Sequence, residues 1–206
     1  MNQETQTPGG GRRYARVLTI AGSDSGGGAG IQADLKTFSA LGCYGMTAIT
    51  AITAQNTRGV TGIHGIPPEM LRAQIDAVVE DIGVDAVKIG MLHSPEVVQV
   101  VADAILRHGL PNVVLDPVMV ATSGDRLIAE ETVGTLVRAL FPLAAVVTPN
   151  LDEAGWLLGR AIADESALDA AATDLLALGA RAVLPKGGHL PGDPGVAVLA
   201  LPGDQR

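Results

Sequence analysis

From Arg16 onward the sequence alternates short apolar stretches with segments of helical periodicity, and this rhythm is the strongest constraint on the fold. The apolar stretches lack polar alternation, which is typical of strands that are buried on both faces of a sheet. Strand–helix–strand units of this kind join parallel strands through right-handed crossovers. The sequence therefore predicts an α/β fold, a three-layer α/β/α sandwich with a mostly parallel sheet.

Capping and turn residues indicate where these elements begin and end. Ser94 followed by Pro95 is typical of a helix start, and Gly42 and Gly109 are typical of helix ends. The predicted strands are 16–21, 44–54, 60–66, 85–89, 112–116, 144–148, 181–184 and 196–201. The predicted helices are 31–41, 67–81, 95–109, 129–140, 151–158 and 165–178.

Composition limits the classes of protein to which the chain can belong. Hydrophobic residues make up 47% of the chain and aromatic residues only 2%, so we expect a folded core of small aliphatic side chains, with Trp156 inside it. The net charge of −8 argues against a nucleic-acid partner, which requires clustered positive charge. We expect residues 1–15 to form a flexible tail and 16–206 to form one domain.

The same sequence predicts a protein of the cytoplasm. No run approaches the roughly 20 apolar residues needed to span a bilayer, so we expect no membrane partner. The single cysteine, Cys43, cannot form an internal disulfide and fits a reducing compartment.

Polar or glycine-rich loops follow six of the predicted strands. In a parallel sheet the ligand lies beyond the carboxyl ends of the strands, so we expect these loops to converge on one site. The loops are 22–30, 55–56, 90–91, 116–117, 148–150 and 186–188.

The first loop contains a partial dinucleotide-binding fingerprint. Residues 28–33 read GAGIQA, but the acid expected about 20 residues later is absent, because no Asp or Glu lies between Lys36 and Glu69. No Walker A motif is present either. Asp24 and its neighbouring serines favour a polar small-molecule site, and a glycine turn without a ligand is the alternative.

The residues after the other strands have both a functional and a structural interpretation. The Gln55 carboxamide suits the edge of a heterocycle, or it belongs to a turn. Asn150 and Glu153 could serve an anion and a hydrated Mg²⁺, or form an ordinary helix cap. Lys186 is either a phosphate ligand or a solvated lysine, and Asp116 is either an acid beside Mg²⁺ or a turn residue.

Taken together, these loops carry a family resemblance. The segment 21–36, AGSDSGGGAGIQADLK, is followed in order by AQNT at 54–57, KIGML at 88–92, DPVM at 116–119, TPNLDE at 148–153 and KGGH at 186–189. These motifs resemble those of the hydroxymethylpyrimidine/phosphomethylpyrimidine kinases of thiamine biosynthesis, which belong to the ribokinase-like superfamily. The resemblance extends from residue 16 to about residue 190.

The resemblance implies ATP-dependent phosphorylation of 4-amino-5-hydroxymethyl-2-methylpyrimidine and then of its monophosphate. It implies that Gln55 recognises the pyrimidine and that three further residues complete the substrate pocket. It also implies that two residues organise Mg²⁺ and phosphates, with Glu153 reaching the metal through water, and that Lys186 binds ATP phosphate and acts in catalysis with Asp116. The three pocket residues are Gly22, Asp34 and Met91, and the two phosphate-side residues are Asn150 and Glu153. A homodimer is compatible with the family.

The resemblance ends before the family's C-terminal portion. Members of the family continue into a Gly-Thr-Gly-Cys segment whose amides form an anion hole, whereas the present sequence ends at Arg206. We therefore expect a domain that is C-terminally incomplete relative to the family, with weak pyrimidine binding and slow or absent turnover. The alternatives are a pyridoxal kinase, a non-catalytic pyrimidine- or nucleotide-binding protein and, more distantly, a dehydrogenase.

Overall fold

The computed structural model describes residues 13–119, 128–163, 165–187 and 197–203, apart from the side chains of 165 and 166. The strands are β1 (Arg16–Ala21), β2 (Tyr44–Ile49), β3 (Ala51–Asn56), β4 (Gly59–Gly65), β5 (Ala86–Ile89), β6 (Val113–Leu115) and β7 (Val146–Val147). The helices are α1 (Gly30–Ala40), α2 (Pro68–Asp81), α3 (Pro95–His108), α4 (Glu130–Leu140), α5 (Leu151–Leu158) and α6 (Glu165–Ala177), with a short 3₁₀ turn at Phe141–Leu143.

The central sheet of the described residues has five parallel strands in the order β2-β1-β5-β6-β7. Isolated bridges extend it, because Val147 pairs in parallel with Val183 and Val183 pairs antiparallel with Ala200. The predicted strands 181–184 and 196–201 therefore occur as single bridges rather than as full strands. Residue 196 lies outside the described part of the chain.

The two faces of the sheet are covered by different helices. Leu18 and Ile20 of β1 are fully buried in the core that α2, α3 and α4 also enter. Thr19 between them donates a 2.6 Å hydrogen bond to Asp34 of α1, so it points to the opposite face. Right-handed crossovers produce this arrangement, because β2 lies on one side of β1 and the later strands lie on the other.

The single strand predicted over 44–54 is wrong, because the chain leaves the central sheet at Thr50. The Thr50 hydroxyl donates to the Met91 carbonyl at 2.8 Å, and its amide donates to the Ala21 carbonyl at 3.0 Å. These long-range bonds end β2, and β3 then pairs antiparallel with β4 as a separate two-stranded sheet. This β3–β4 hairpin stands beside the carboxyl end of β1.

Two further predictions concern the surface residue Trp156 and the N-terminal tail. Trp156 is 45% exposed on α5, so its predicted place in the core is wrong. Residues 1–12 of the predicted tail lie outside the described residues. Arg13 forms an ion pair with Asp85 at 2.7 Å. Among the described helices, none combines the length and the apolar character required to cross a membrane.

Candidate active site

A cavity of about 330 Å³ lies at the carboxyl ends of β1, β5, β6 and β7, beneath the β3–β4 hairpin. All eight residues that the sequence proposes for the site line it. They are Gly22, Asp34, Gln55, Met91, Asp116, Asn150, Glu153 and Lys186. The cavity wall also includes Ala21, Ser23, Asp24, Ala29, Gly30, Ala33, Thr53, Lys88, Gly90 and Val118.

A larger cleft of about 910 Å³ lies elsewhere, between α4 and α5. Trp156 and Arg160 line it, but none of the eight predicted residues does. We assign the site to the smaller cavity because charged side chains from several strand ends converge there.

The acid of the first loop, Asp24, serves the loop itself. Its carboxylate is 5% exposed and accepts backbone N–H bonds from Gly26, Gly28 and Ala29 at 2.8–2.9 Å. The Ser25 hydroxyl ties the same loop to the backbone of β3. Asp24 and Ser25, whose side chains suggest a ligand site in the sequence, therefore stabilise the conformation of the loop.

A flat apolar wall follows from the glycines of this loop. Gly30 has a φ of +55°, and a Cβ there would overlap the Gly22 carbonyl, which accepts the Ile31 amide at 3.0 Å. A Cβ on Gly22 would lie 2.8 Å from the Met91 Cε, so glycine lets the methionine pack against the backbone. Backbone and thioether together form a surface suited to one face of a planar ring.

Gln55 enters the cavity from the hairpin rather than from the central sheet. It lies at a bulge of β3, where the pairing register with β4 shifts between Ala54 and Gln55. Its side-chain oxygen accepts the Thr53 hydroxyl at 3.3 Å, and its backbone is bonded to Ser25. The bulge aims the carboxamide toward the cavity that the strand ends enclose.

On the side of the cavity near β1, Asp34 of α1 is held from two directions. Thr19 donates to its Oδ2 at 2.6 Å, and the Lys88 Nζ lies 3.1 Å from Oδ1 and 3.2 Å from Oδ2. The Asp34 side chain is mostly buried. Its orientation is therefore fixed by a hydroxyl of the sheet and an ammonium of the sheet.

On the opposite side, Asp116 follows β6 and links to a second lysine. Lys186 donates to its Oδ1 at 2.9 Å, Thr148 donates to the same oxygen at 3.3 Å, and Lys88 lies 3.8 Å from Oδ2. The Lys186 side chain remains 46% exposed. This lysine can therefore exchange a carboxylate partner for an anion in the cavity.

The start of α5 confirms the helix-cap interpretation of Asn150 and Glu153. The Asn150 side chain accepts the Glu153 amide at 2.8 Å, and the Glu153 carboxylate accepts the Asn150 amide at 2.8 Å. Glu153 is only 4% exposed. Its pKa is raised to about 7, mainly because burial disfavours the charged form. The negative charge of Asp116 also raises this pKa, whereas the backbone amides of Asn150 and Met119 and the positive charge of Lys186 lower it.

Lys88 also lines the cavity, although the sequence predicts no role for it. It lies within β5, between the buried residues Val87 and Ile89. A charged residue inside an otherwise apolar strand is the signal that could have identified it. Gly188 and His189 of the KGGH motif lie outside the described residues.

Comparison with known proteins agrees with this geometry. The family model for phosphomethylpyrimidine kinase matches residues 24–205. A hydroxymethylpyrimidine/phosphomethylpyrimidine kinase of Rhizobium meliloti is 58% identical over 86% of this chain and 67% of its own length. The crystal structure of phosphomethylpyrimidine kinase from Clostridium difficile has a TM-score of 0.84 at 46% identity and covers 92% of this chain and 82% of its own.

Pyridoxal kinases share the fold at lower identity. The Staphylococcus aureus enzyme in complex with AMP-PCP and pyridoxal is 35% identical, has a TM-score of 0.82, and covers 91% of this chain and 68% of its own. This chain spans about two thirds of the length of the curated kinases that it matches. These likenesses confirm the predicted ribokinase-like three-layer sandwich, and the chain belongs to the phosphomethylpyrimidine kinase family.

Proposed function

We propose that this chain phosphorylates 4-amino-5-hydroxymethyl-2-methylpyrimidine and its monophosphate with ATP, as a kinase of thiamine biosynthesis. The observation that carries the proposal is the composition of the cavity. Groups suited to binding a ring and groups suited to phosphate and Mg²⁺ line the same 330 Å³ space. Membership of the phosphomethylpyrimidine kinase family supports the same assignment.

The ring-binding side, which we call the acceptor half, contains Gly22, Asp34, Gln55 and Met91. The Gln55 carboxamide offers a donor and an acceptor in one plane, which matches the ring nitrogen and amino group of an aminopyrimidine. Asp34 is an acceptor with a fixed orientation, since Thr19 and Lys88 hold it. The wall of Gly22 and Met91 packs against the ring face.

The phosphate side, which we call the nucleotide half, contains Asp116, Asn150, Glu153 and Lys186. Phosphoryl transfer requires mainly positioning and neutralisation of charge. Lys186 supplies a half-exposed ammonium for a phosphate, and Asp116 orients that ammonium through their 2.9 Å bond. The N-terminus of α5 adds the positive end of a helix dipole.

The residues of the nucleotide half also fit Mg²⁺. The Asp116 carboxylate is close enough to raise the pKa of Glu153. Magnesium prefers oxygen ligands and retains several waters. Glu153, and beside it Asp116, would hold the ion through water. Bound there, Mg²⁺ supplies charge neutralisation to the phosphates.

A kinase assay tests this function. The chain is incubated with Mg²⁺ and ATP, and with either the hydroxymethylpyrimidine or pyridoxal, and phosphorylated products are identified by mass spectrometry. We expect a higher kcat/KM for the pyrimidine. A preference for pyridoxal would favour the alternative seen in the Staphylococcus aureus relative, and pyrimidine binding without product would favour a non-catalytic binding protein.

A pair of lysine variants tests the division of the cavity. Lys186→Met should weaken nucleotide binding and leave pyrimidine binding unchanged, because its ammonium contacts only the nucleotide half. Lys36→Met is the matched control, since Lys36 is exposed and donates to the Gly27 carbonyl instead of a carboxylate. Loss of pyrimidine binding in Lys186→Met, with nucleotide binding intact, would reverse the assignment of the two halves.

The cellular setting follows from the proposed reaction. We place the protein in the cytoplasm, where ATP is available and the single cysteine stays reduced, with small molecules rather than nucleic acid or membrane as its partners. A homodimer is the proposed assembly, and light scattering during size-exclusion chromatography measures it.

A further inference from the structure

Lys88 lies between the acceptor half and the nucleotide half of the cavity. The sequence contains three lysines, and two of them, Lys88 and Lys186, line this cavity. The Lys88 ammonium is 3.1 Å from Asp34 and 3.8 Å from Asp116, and its side chain is 22% exposed. It therefore contacts one carboxylate in each half.

The residues next to Lys88 in the chain direct its side chain and leave space for its ammonium. Val87 and Ile89 on either side are buried in the core, so Lys88 alone of the three points toward α1 and the cavity. At Gly90, which follows, a Cβ would lie 3.2 Å from the Lys88 Nζ and 2.9 Å from the Ala21 Cβ. Glycine at this position leaves the space through which the ammonium reaches the strand ends.

Negative and positive side chains alternate along the carboxyl edge of the central sheet, in the order Asp34, Lys88, Asp116, Lys186. With both lysines present, the four formal charges cancel. Without Lys88 the group would carry a net negative charge, which opposes an incoming phosphate. Among the described residues, Lys186 would then be the remaining cation paired with Asp116, and its exchange onto a phosphate would leave that carboxylate without a counter-charge from this set.

We propose that Lys88 is a positioning residue that couples the two halves of the site. It holds Asp34 for the pyrimidine, and it shares the neutralisation of Asp116 so that Lys186 can move to the nucleotide. This inference rests on the proposed function, since it assigns a further residue to the same reaction. Lys88 acts through the two aspartates and not through contact with the reacting atoms.

Calorimetry on the full chain tests the coupling with two probes, the hydroxymethylpyrimidine alone and Mg²⁺ with AMP-PCP. Lys88→Met should weaken binding of both probes by roughly 5- to 10-fold, the size expected for a partly buried charge pair. Asp34→Asn should weaken only the pyrimidine, and Lys186→Met only the nucleotide. A loss that extends to both probes distinguishes Lys88 from its neighbours.

Two further variants separate positioning from a purely structural role. Lys88→Arg keeps the charge and should recover at least half of the lost binding free energy for AMP-PCP, even if Lys88→Met folds poorly. In the Asp34→Asn background, Lys88→Met should cause no additional loss of pyrimidine affinity, because the residue through which it acts is already altered. Lys36→Met controls for loss of a lysine charge nearby, and we expect less than a twofold change with either probe.

Each outcome decides between the proposals. Weakened binding of both probes, with recovery in Lys88→Arg, supports the coupling. A lower Tm in Lys88→Met with unchanged affinities would show that Lys88 is only structural and would overturn the inference, while the proposed function stands. If the unaltered chain bound neither probe, the proposed function would fail, and the inference with it.

Discussion

Asp24 and Glu153 line the same cavity and are buried to nearly the same extent, at 5% and 4% exposure, yet their carboxylates are used differently. The Asp24 carboxylate accepts three backbone N–H groups of its own loop. The Glu153 carboxylate caps α5 through the Asn150 amide, is also bonded by the Met119 backbone, and lies close to the charges of Asp116 and Lys186. Equal burial therefore does not imply an equal role.

The difference lies in how much of each charge is satisfied locally. A carboxylate with three short N–H bonds has little capacity left for a ligand, and its loop depends on it. The Glu153 carboxyl retains a pKa of about 7, so it can gain or lose a proton near neutral pH. We therefore regard Asp24 as the architectural acid of the site and Glu153 as the acid that responds to a metal or a phosphate.

Removal of the architectural acid should produce the largest effect. Asp24→Ala leaves three backbone N–H groups without their acceptor, and we expect a loss of about 3–5 kcal/mol in the free energy of unfolding. Urea unfolding at pH 7 measures it. Ser25→Ala, which removes an exposed hydroxyl of the same loop, is the control and should cost less than about 1 kcal/mol. Equal losses in the two variants would remove the distinction between Asp24 and its neighbours.

The titration of Glu153 should be detectable in the pH dependence of the free energy of unfolding. Between the ordinary glutamate pKa of 4.5 and the folded value of about 7, the folded chain holds a proton that the unfolded chain releases, so this group's contribution to stability is lost as pH rises. Glu153→Gln keeps the cap acceptor and does not titrate. We expect it to match the unaltered chain near pH 4.5 and to exceed its stability by about 3 kcal/mol at pH 8.

Unfolding curves from pH 4.5 to 8, recorded with a chelator, give this difference. Asp152→Asn is the matched control because Asp152 is an exposed acid in the first turn of the same helix. It measures the effect of removing an acid from the first turn of α5, against which the Glu153→Gln difference is compared. A pH-independent difference for Glu153→Gln would mean that the Glu153 carboxyl is already ionised in the folded chain below pH 5.

The comparison extends to ligand recognition at Gln55, which lines the same cavity as both acids. Gln55→Ala removes a hydrogen bond to the ring, which corresponds to roughly 1–3 kcal/mol, and should weaken pyrimidine binding about 5- to 150-fold in calorimetry. Asn56→Ala is the control, because the Asn56 side chain bonds the exposed Arg58 amide of the hairpin turn. Pyrimidine affinity that is unchanged in a folded Gln55→Ala would refute the assignment.

Much of the fold can be predicted from local sequence. The predictions that fail concern features that depend on contacts between distant parts of the chain. Ser94 accepts the Val97 amide and Gly109 ends α3 with a φ of +59°, both as the capping pattern predicts. The break at Thr50 was not predictable, because it depends on hydrogen bonds to Met91 and Ala21 that only tertiary structure supplies. Trp156 is exposed because a pattern of apolar neighbours does not fix which side of a helix meets the core.

The site divides in the same way. Asp116, Asn150 and Lys186 were predictable because they follow parallel strands whose ends converge, whereas Gly22, Asp34 and Met91 were assigned to the pocket only through the family resemblance. All eight of the proposed residues line one cavity. Lys88 and Thr19 were missed because they lie inside strands that were interpreted as uniformly apolar. The loop-holding role of Asp24 was missed because a buried Asp in a glycine loop reads the same whether it faces a ligand or its own backbone.

The smallest expected effect comes from replacing the capping residues of two helices, Asn150 of α5 and Ser94 of α3. Each accepts a backbone amide of its helix, at 2.8 Å for Asn150 and 3.3 Å for Ser94, so replacement by alanine should cost about 1 kcal/mol of stability in each, with the smaller loss at Ser94. Only Asn150 lies in the nucleotide half, and its loss should also weaken binding of Mg²⁺ with AMP-PCP, by roughly threefold to tenfold. Urea unfolding and calorimetry on both variants separate the two contributions. If Ser94→Ala weakened the nucleotide as much as Asn150→Ala, the effect would be a consequence of lost stability, and Asn150 would be no more than a cap.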